Sequence, residues 1–176
     1  EFRRVLFRSH APLVETASRP GHDAWRRTVG LCAGAVGRGR IDKVVLARRV
    51  DLLSLVELDV PNALRRLAAS DPEGAIFAFR RDGRTFLGAT PERLVSTEGR
   101  RFRTVALAGT IRRGRDAAED RELADQLLAS DKNREEQRIV VAAIRELLTP
   151  VAETLEVSGR PTVLPLRYVQ HLRTEI

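Results

Sequence analysis

Methionine is absent from this 176-residue chain, cysteine occurs once, and aromatic residues make up only 5% of it. The single Cys32 excludes an intrachain disulfide and an all-cysteine zinc site. Long apolar runs are also missing. The longest clean one, Ile139 to Ile144, is far too short to cross a bilayer. Arg3, Arg4 and Arg8 interrupt the N-terminal stretch, so it lacks the apolar centre of a signal peptide. The expectation is a cytoplasmic protein with no membrane partner. Without a methionine, Glu1 does not read as a native start. Residues 1–9 (EFRRVLFRS) read as a non-native leader, leaving 10–176 as a partial domain. The last residues, Tyr168 to Ile176, are strand-like and carry no stop signal, so the chain reads as cut at both ends.

What is present is enough for a folded core, with 43% hydrophobic residues. The formal charge of +7 invites a nucleic-acid partner, but its placement argues against one. Residues 1–50 hold 11 basic and 4 acidic side chains. The remainder of the 31 and 24 leaves 20 of each sign for residues 51–176. No basic stripe runs through the folded part, and few aromatics are available for stacking. Lysine is scarcer than the charge suggests: among 31 basic residues only Lys43 and Lys132 are not arginine. Arginine cannot give up its proton in a protein, whereas a desolvated lysine can. A position that needs a titratable amine cannot accept arginine.

Periodicity gives alternating helices and strands. Gly21 to Arg40 places Trp25, Val29, Cys32 and Val36 on one helix face. Asp42 to Leu52 is rich in branched residues and predicts a strand apolar on both faces. Pro61 to Ser70 predicts a short helix. Gly74 to Arg81 and Arg84 to Ala89 predict a hairpin turning at Asp82-Gly83. Leu94 to Thr97 and Arg101 to Leu107 extend it into a meander. Ala108 to Thr110 reads as a loop. Two helices follow, over about 116–129 and 132–148, then a strand over 154–157 and an extended run from Val163. The fold class is α+β, an antiparallel meandering sheet covered by helices.

Several residues in this frame have chemical potential. In the last helix, Glu136 and Lys132 continue the stripe of Ile139, Val140, Ala143, Ile144 and Leu147. They read either as an i,i+4 pair at the rim or as a carboxylate aimed inward at a cation. Lys43 opens the doubly covered strand, as a snorkelling amine or a desolvated one. Glu92 follows Pro91, which fixes the local backbone. Gly109 and Thr110 offer an amide and a hydroxyl at a strand end, and His171 stands in an extended run. No serine triad, HExxH, phosphate loop or Cys/His cluster occurs.

Taken in order, five segments resemble the chorismate-utilising enzymes, the isochorismate, salicylate, anthranilate and aminodeoxychorismate synthases. They are DKVVLAR (42–48), FLGATPERL (86–94), ALAGT (106–110), SDKNREEQ (130–137) and VQHLRT (169–174). In members that use ammonia, the position of Lys43 is typically Gln; members that add water carry Lys. Ammonia is already nucleophilic, but water at neutral pH needs a base. The resemblance therefore implies an isochorismate synthase acting on chorismate, for menaquinone or siderophore biosynthesis, with salicylate synthase as the alternative. A non-catalytic basic binding module is the alternative from another class.

By the same resemblance, Lys43 activates water, Glu92 acts as general acid, and Glu136 binds Mg2+. Gly109, Thr110 and His171 line the substrate site. Gln137 departs from the family, which often has His there. The family's second metal glutamate falls beyond Ile176, so this chain alone is expected to be inactive.

Overall fold

A computed structural model describes residues 13–72 and 74–176. Residues 1–9, expected to be a leader, lie outside the described residues. The chain divides into two compact units, 1–63 and 64–176.

In the first unit, β1 (Leu13–Arg19) pairs antiparallel with β2 (Arg49–Ser54), with a register shift between Glu15 and Ala17. Between them lies α1 (His22–Gly37), near the predicted bounds, ending as the chain enters Gly37 to Gly39. Gly39 takes a φ of +64°, a conformation that suits glycine. The strand expected over Asp42 to Leu52 is corrected: pairing begins only at Arg49. Residues 43–48 have no regular structure, and Val45 is 80% exposed, so this stretch is not covered on both faces. Branched residues favour a strand only where a partner ladder exists. Lys43 is half-buried. Helix α2 (Val60–Ser70) runs across the division between the units.

Among its described residues, the second unit carries three separate antiparallel sheets. β3 (Ala75–Arg81) and β4 (Arg84–Thr90) form the expected hairpin. Its turn residues Asp82 and Gly83 have φ of 50° and 72°, the positive values that a tight two-residue hairpin demands. β5 (Ser96–Glu98) and β6 (Arg101–Arg103) form a second, shorter hairpin. The expected continuous strand 101–107 is broken at Thr104. β7 (Val105–Arg112) then leaves the meander and pairs with β9 (Val169–Glu175), which also pairs with β8 (Thr162–Pro165). The segment 108–110, expected as a loop, is the middle of β7. Residues 154–157 form no strand.

Helices α3 (Ala117–Ala129) and α4 (Asp131–Leu148) cover this three-stranded sheet. Asp116 caps α3 by accepting from the N–H groups of Ala118 and Glu119 at 3.0 and 2.9 Å. Ser130 both ends α3 and caps α4. The core sits at this contact: Leu123 and Leu127 of α3 meet a sheet face built from Ala106, Ala108 and Leu172. Leu127 and Leu172 are 0% exposed, each stabilising the fold by about 1.5–3 kcal/mol. The stripe of α4 is rotated from its expected position. Ile139, Val140 and Ile144 are half-buried as expected, but Leu147 is 75% exposed and Ala143 and Lys132 are exposed, while Gln137 is buried and Val141 and Leu148 are half-buried.

Candidate functional site

The site begins with a bulge. Across β7 and β9, Ala108 stands opposite Leu172 and Thr110 opposite His171, so Gly109 is the extra residue. Its φ of +72° is left-handed, and a Cβ there would meet Asn133 Cβ at 3.0 Å. Glycine thus serves twice: it permits the bulge and lets β7 approach the first turn of α4. Asn133 is fixed by Ser130, whose Oγ accepts from its backbone N–H at 3.3 Å and from Nδ2 at 2.9 Å.

The bulge changes which way the strand presents its side chains. Ala106 and Ala108 point into the helices, as do Leu172 and Thr174 opposite. Beyond the extra residue, exposed Thr110 joins half-buried His171 on the other face. Thr110 Oγ1 and His171 Nδ1 are 2.9 Å apart, and the Gly109 carbonyl lies 3.4 Å from the same nitrogen. The carbonyl can only accept, so a proton on Nδ1 serves both oxygens. A hydroxyl and an imidazole held this way suit a carboxylate or hydroxyl-bearing ligand.

Three of the residues singled out from sequence, Gly109, Thr110 and His171, are therefore brought together. Glu136 is half-buried one turn beyond Asn133 on α4. Its neighbour Gln137, 3% exposed, donates Nε2 to the Ala106 carbonyl and to Thr174 Oγ1, each at 2.9 Å. Gln137 Oε1 is buried without a hydrogen-bond partner.

Glu92 occupies a different place in the same unit. It is exposed on the loop after β4, with its N–H donating to Thr90 Oγ1 at 3.2 Å. The Thr104 hydroxyl donates to the Leu94 carbonyl at 2.8 Å and ties this loop to the beginning of β7. Glu92 lines a groove of about 500 Å³ with Leu94, Val95, Ile144, Leu147 and Leu148. Ile144 is about 12 Å along α4 from Glu136 at the usual helical rise. Lys43 belongs to the first unit. Among the described residues, no group of three or more His, Cys, Asp or Glu is placed to hold a metal ion.

One cluster escaped the sequence reading. Arg113 donates Nε and Nη2 to the Asp120 carboxylate, at 2.8 Å to Oδ1 and 2.7 Å to Oδ2. The same carboxylate accepts from the Gly114 N–H at 2.7 Å and from Gln170 Nε2 at 3.0 Å. These donors hold Asp120 near a pKa of about 2, the Arg113 guanidinium foremost. Beside it, Arg112 and Arg115 bond Glu119, which is likewise lowered to about 2. The available signal was a glycine among three arginines followed by the acids of α3.

The chain belongs to the family described as "Chorismate binding enzyme", which matches residues 4–176. It is 41% identical over 160 residues to the salicylate biosynthesis isochorismate synthase of Pseudomonas aeruginosa, covering 91% of this chain and 33% of that protein. Isochorismate synthase EntC of Escherichia coli is 34% identical over 173 residues, 98% of this chain and 44% of the relative. Among solved structures, the putative 2,3-dihydroxybenzoate-specific isochorismate synthase DhbC of Bacillus anthracis superposes with a TM-score of 0.88 at 33% identity. That match covers 95% of this chain and 46% of the other. The chain thus spans less than half the length of these relatives. The α+β fold expected from the sequence agrees with that likeness.

Proposed function

We propose that the protein to which this chain belongs is an isochorismate synthase, converting chorismate to isochorismate for menaquinone or siderophore biosynthesis. The observation that carries the reading is Lys43: a half-buried lysine within DKVVLAR, in a sequence that otherwise writes arginine almost throughout. It is supported by relatives that are themselves isochorismate synthases.

In this reading the Lys43 amine takes a proton from water as its oxygen bonds to ring C2. The ring double bonds shift, the C4–oxygen bond breaks, and Glu92 gives its proton to the departing hydroxyl. One water enters and one leaves, so the net change is an isomerisation. Thr110 and His171 hold the substrate beside the bulge that Gly109 makes.

Glu136 would hold Mg2+. A single half-buried carboxylate fits that ion, which keeps several waters beside one or two carboxylates and needs no three-residue cluster. When bound, it would neutralise the C1 carboxylate of chorismate.

The test is Lys43→Ala in the parent enzyme, with chorismate as substrate and product followed by chromatography. Loss of isochorismate with an intact far-UV spectrum is expected. Unchanged turnover would refute the assignment. Release of pyruvate without a partner enzyme would move the reading to salicylate synthase.

A further inference from the structure

Two clamps flank the Gly109 bulge. On its N-terminal side, Gln137 Nε2 bonds the Ala106 carbonyl on β7 and Thr174 Oγ1 on β9, the very residues that face each other across the ladder. On its C-terminal side, the Asp120 carboxylate holds Gly114, just past β7, and Gln170 on β9. Gln170 is 2% exposed and also donates to the Asp120 carbonyl at 2.9 Å. Arg113 completes this clamp. It bonds Asp120, donates Nη1 to the Leu166 carbonyl, and gives its own N–H to the Tyr168 carbonyl at 3.1 Å.

This arrangement matters because a bulge is mobile in principle. Only three pairs follow it before β7 ends: Thr110 with His171, Ile111 with Gln170, and Arg112 with Val169. A slip of one residue would send Thr110 or His171 to the helix-covered face. The Gln137 clamp bonds both strands to α4, and the Asp120 clamp bonds β9 and the two residues that follow β7 to α3, so each fixes how many residues lie between it and the bulge. Gln170 is the residue directly before His171 in the chain, which makes the Asp120 clamp the nearer control.

We infer that Asp120 and Gln137 are positioning residues, clamping the Gly109 bulge from its two sides and thereby setting His171 against Thr110. Their importance for catalysis rests on the reading of Thr110 and His171 as substrate contacts; their geometric role does not.

The test uses the 176-residue chain, isotope-labelled, and the nuclear Overhauser cross-peak between Thr110 and the His171 ring. Asp120→Asn should lose that cross-peak while its circular dichroism stays native. Gln137→Leu should do the same from the other side. Leu67→Ala, which removes a buried side chain of α2, should lower stability and leave the cross-peak intact. If Asp120→Asn does not fold, Arg113→Lys decides, since it keeps the charge but loses the two-pronged fork.

In the parent enzyme, Asp120→Asn should raise KM for chorismate about tenfold with a much smaller change in kcat, because these contacts serve bound substrate and transition state alike. A folded Asp120→Asn with the cross-peak unchanged would overturn the proposal. Loss of the cross-peak in a protein whose parent never acts on chorismate would overturn the functional reading and leave the clamps standing.

Discussion

Gly114→Ala should be among the most damaging single-methyl additions in the second unit. A Cβ at this position would lie 2.2 Å from the Asp120 backbone nitrogen, 2.6 Å from its Cα and 2.7 Å from the Glu119 carbonyl carbon. All three atoms are backbone of the first turns of α3, so no side chain can swing aside. Ordinary contact needs roughly 3.5 Å or more between such atoms, so strand end and helix must part by about 1 Å. Overpacking of this kind costs about 1–3 kcal/mol. The parting also stretches the 2.7 Å bond from the Gly114 N–H to Asp120. A hydrogen bond to a charged group contributes about 1.5–3 kcal/mol. Together they predict a loss of about 3–5 kcal/mol, read by urea denaturation of the chain. Gly159→Ala is the control, because nothing lies within 4 Å of its added Cβ. It should stay within about 0.5 kcal/mol of the parent. Equal midpoints for the two variants would refute the packing argument.

Acid should unfasten the same region. Asp120 and Glu119 have folded pKa values of about 2, below the ordinary 3.8 and 4.5. Their contribution is therefore complete above about pH 5 and is lost as pH falls toward 2. Thermal melts from pH 6 to 2 should show this slope, and Asp120→Asn should flatten it while lowering stability at neutral pH. Leu172→Ala, which empties a fully buried position, should cost about 2–5 kcal/mol in urea denaturation. In the parent enzyme, Lys43→Gln supplied with ammonium should yield some aminated ring product by mass spectrometry. Ammonia needs no base to become a nucleophile.

The chemistry-bearing segments were legible because each is local. A glycine followed by threonine, or a histidine between Gln170 and Leu172, is visible without coordinates. The turn at Asp82-Gly83 was equally readable, since its backbone conformation is a property of those two residues. The caps that the structure shows at Asp116 and Ser130 are local in the same way, each spanning only three residues. The branched run 43–48 misled for the opposite reason: strand formation depends on a partner that lies elsewhere in the chain.

By itself the sequence determined the family, the order of its motifs, the alternation of helices and strands, and the lone lysine of DKVVLAR. Those are properties of neighbouring residues and of composition. Only tertiary structure decided that β7 abandons its neighbouring hairpins for β9, roughly sixty residues on in the sequence. That pairing turned an apparent loop at Gly109 into a bulge, put Thr110 beside His171, and made Asp120, Gln137 and Gln170 partners in holding them. Hydrogen bonds between distant strands leave no periodic trace in a sequence, because their geometry exists only after the chain has closed on itself.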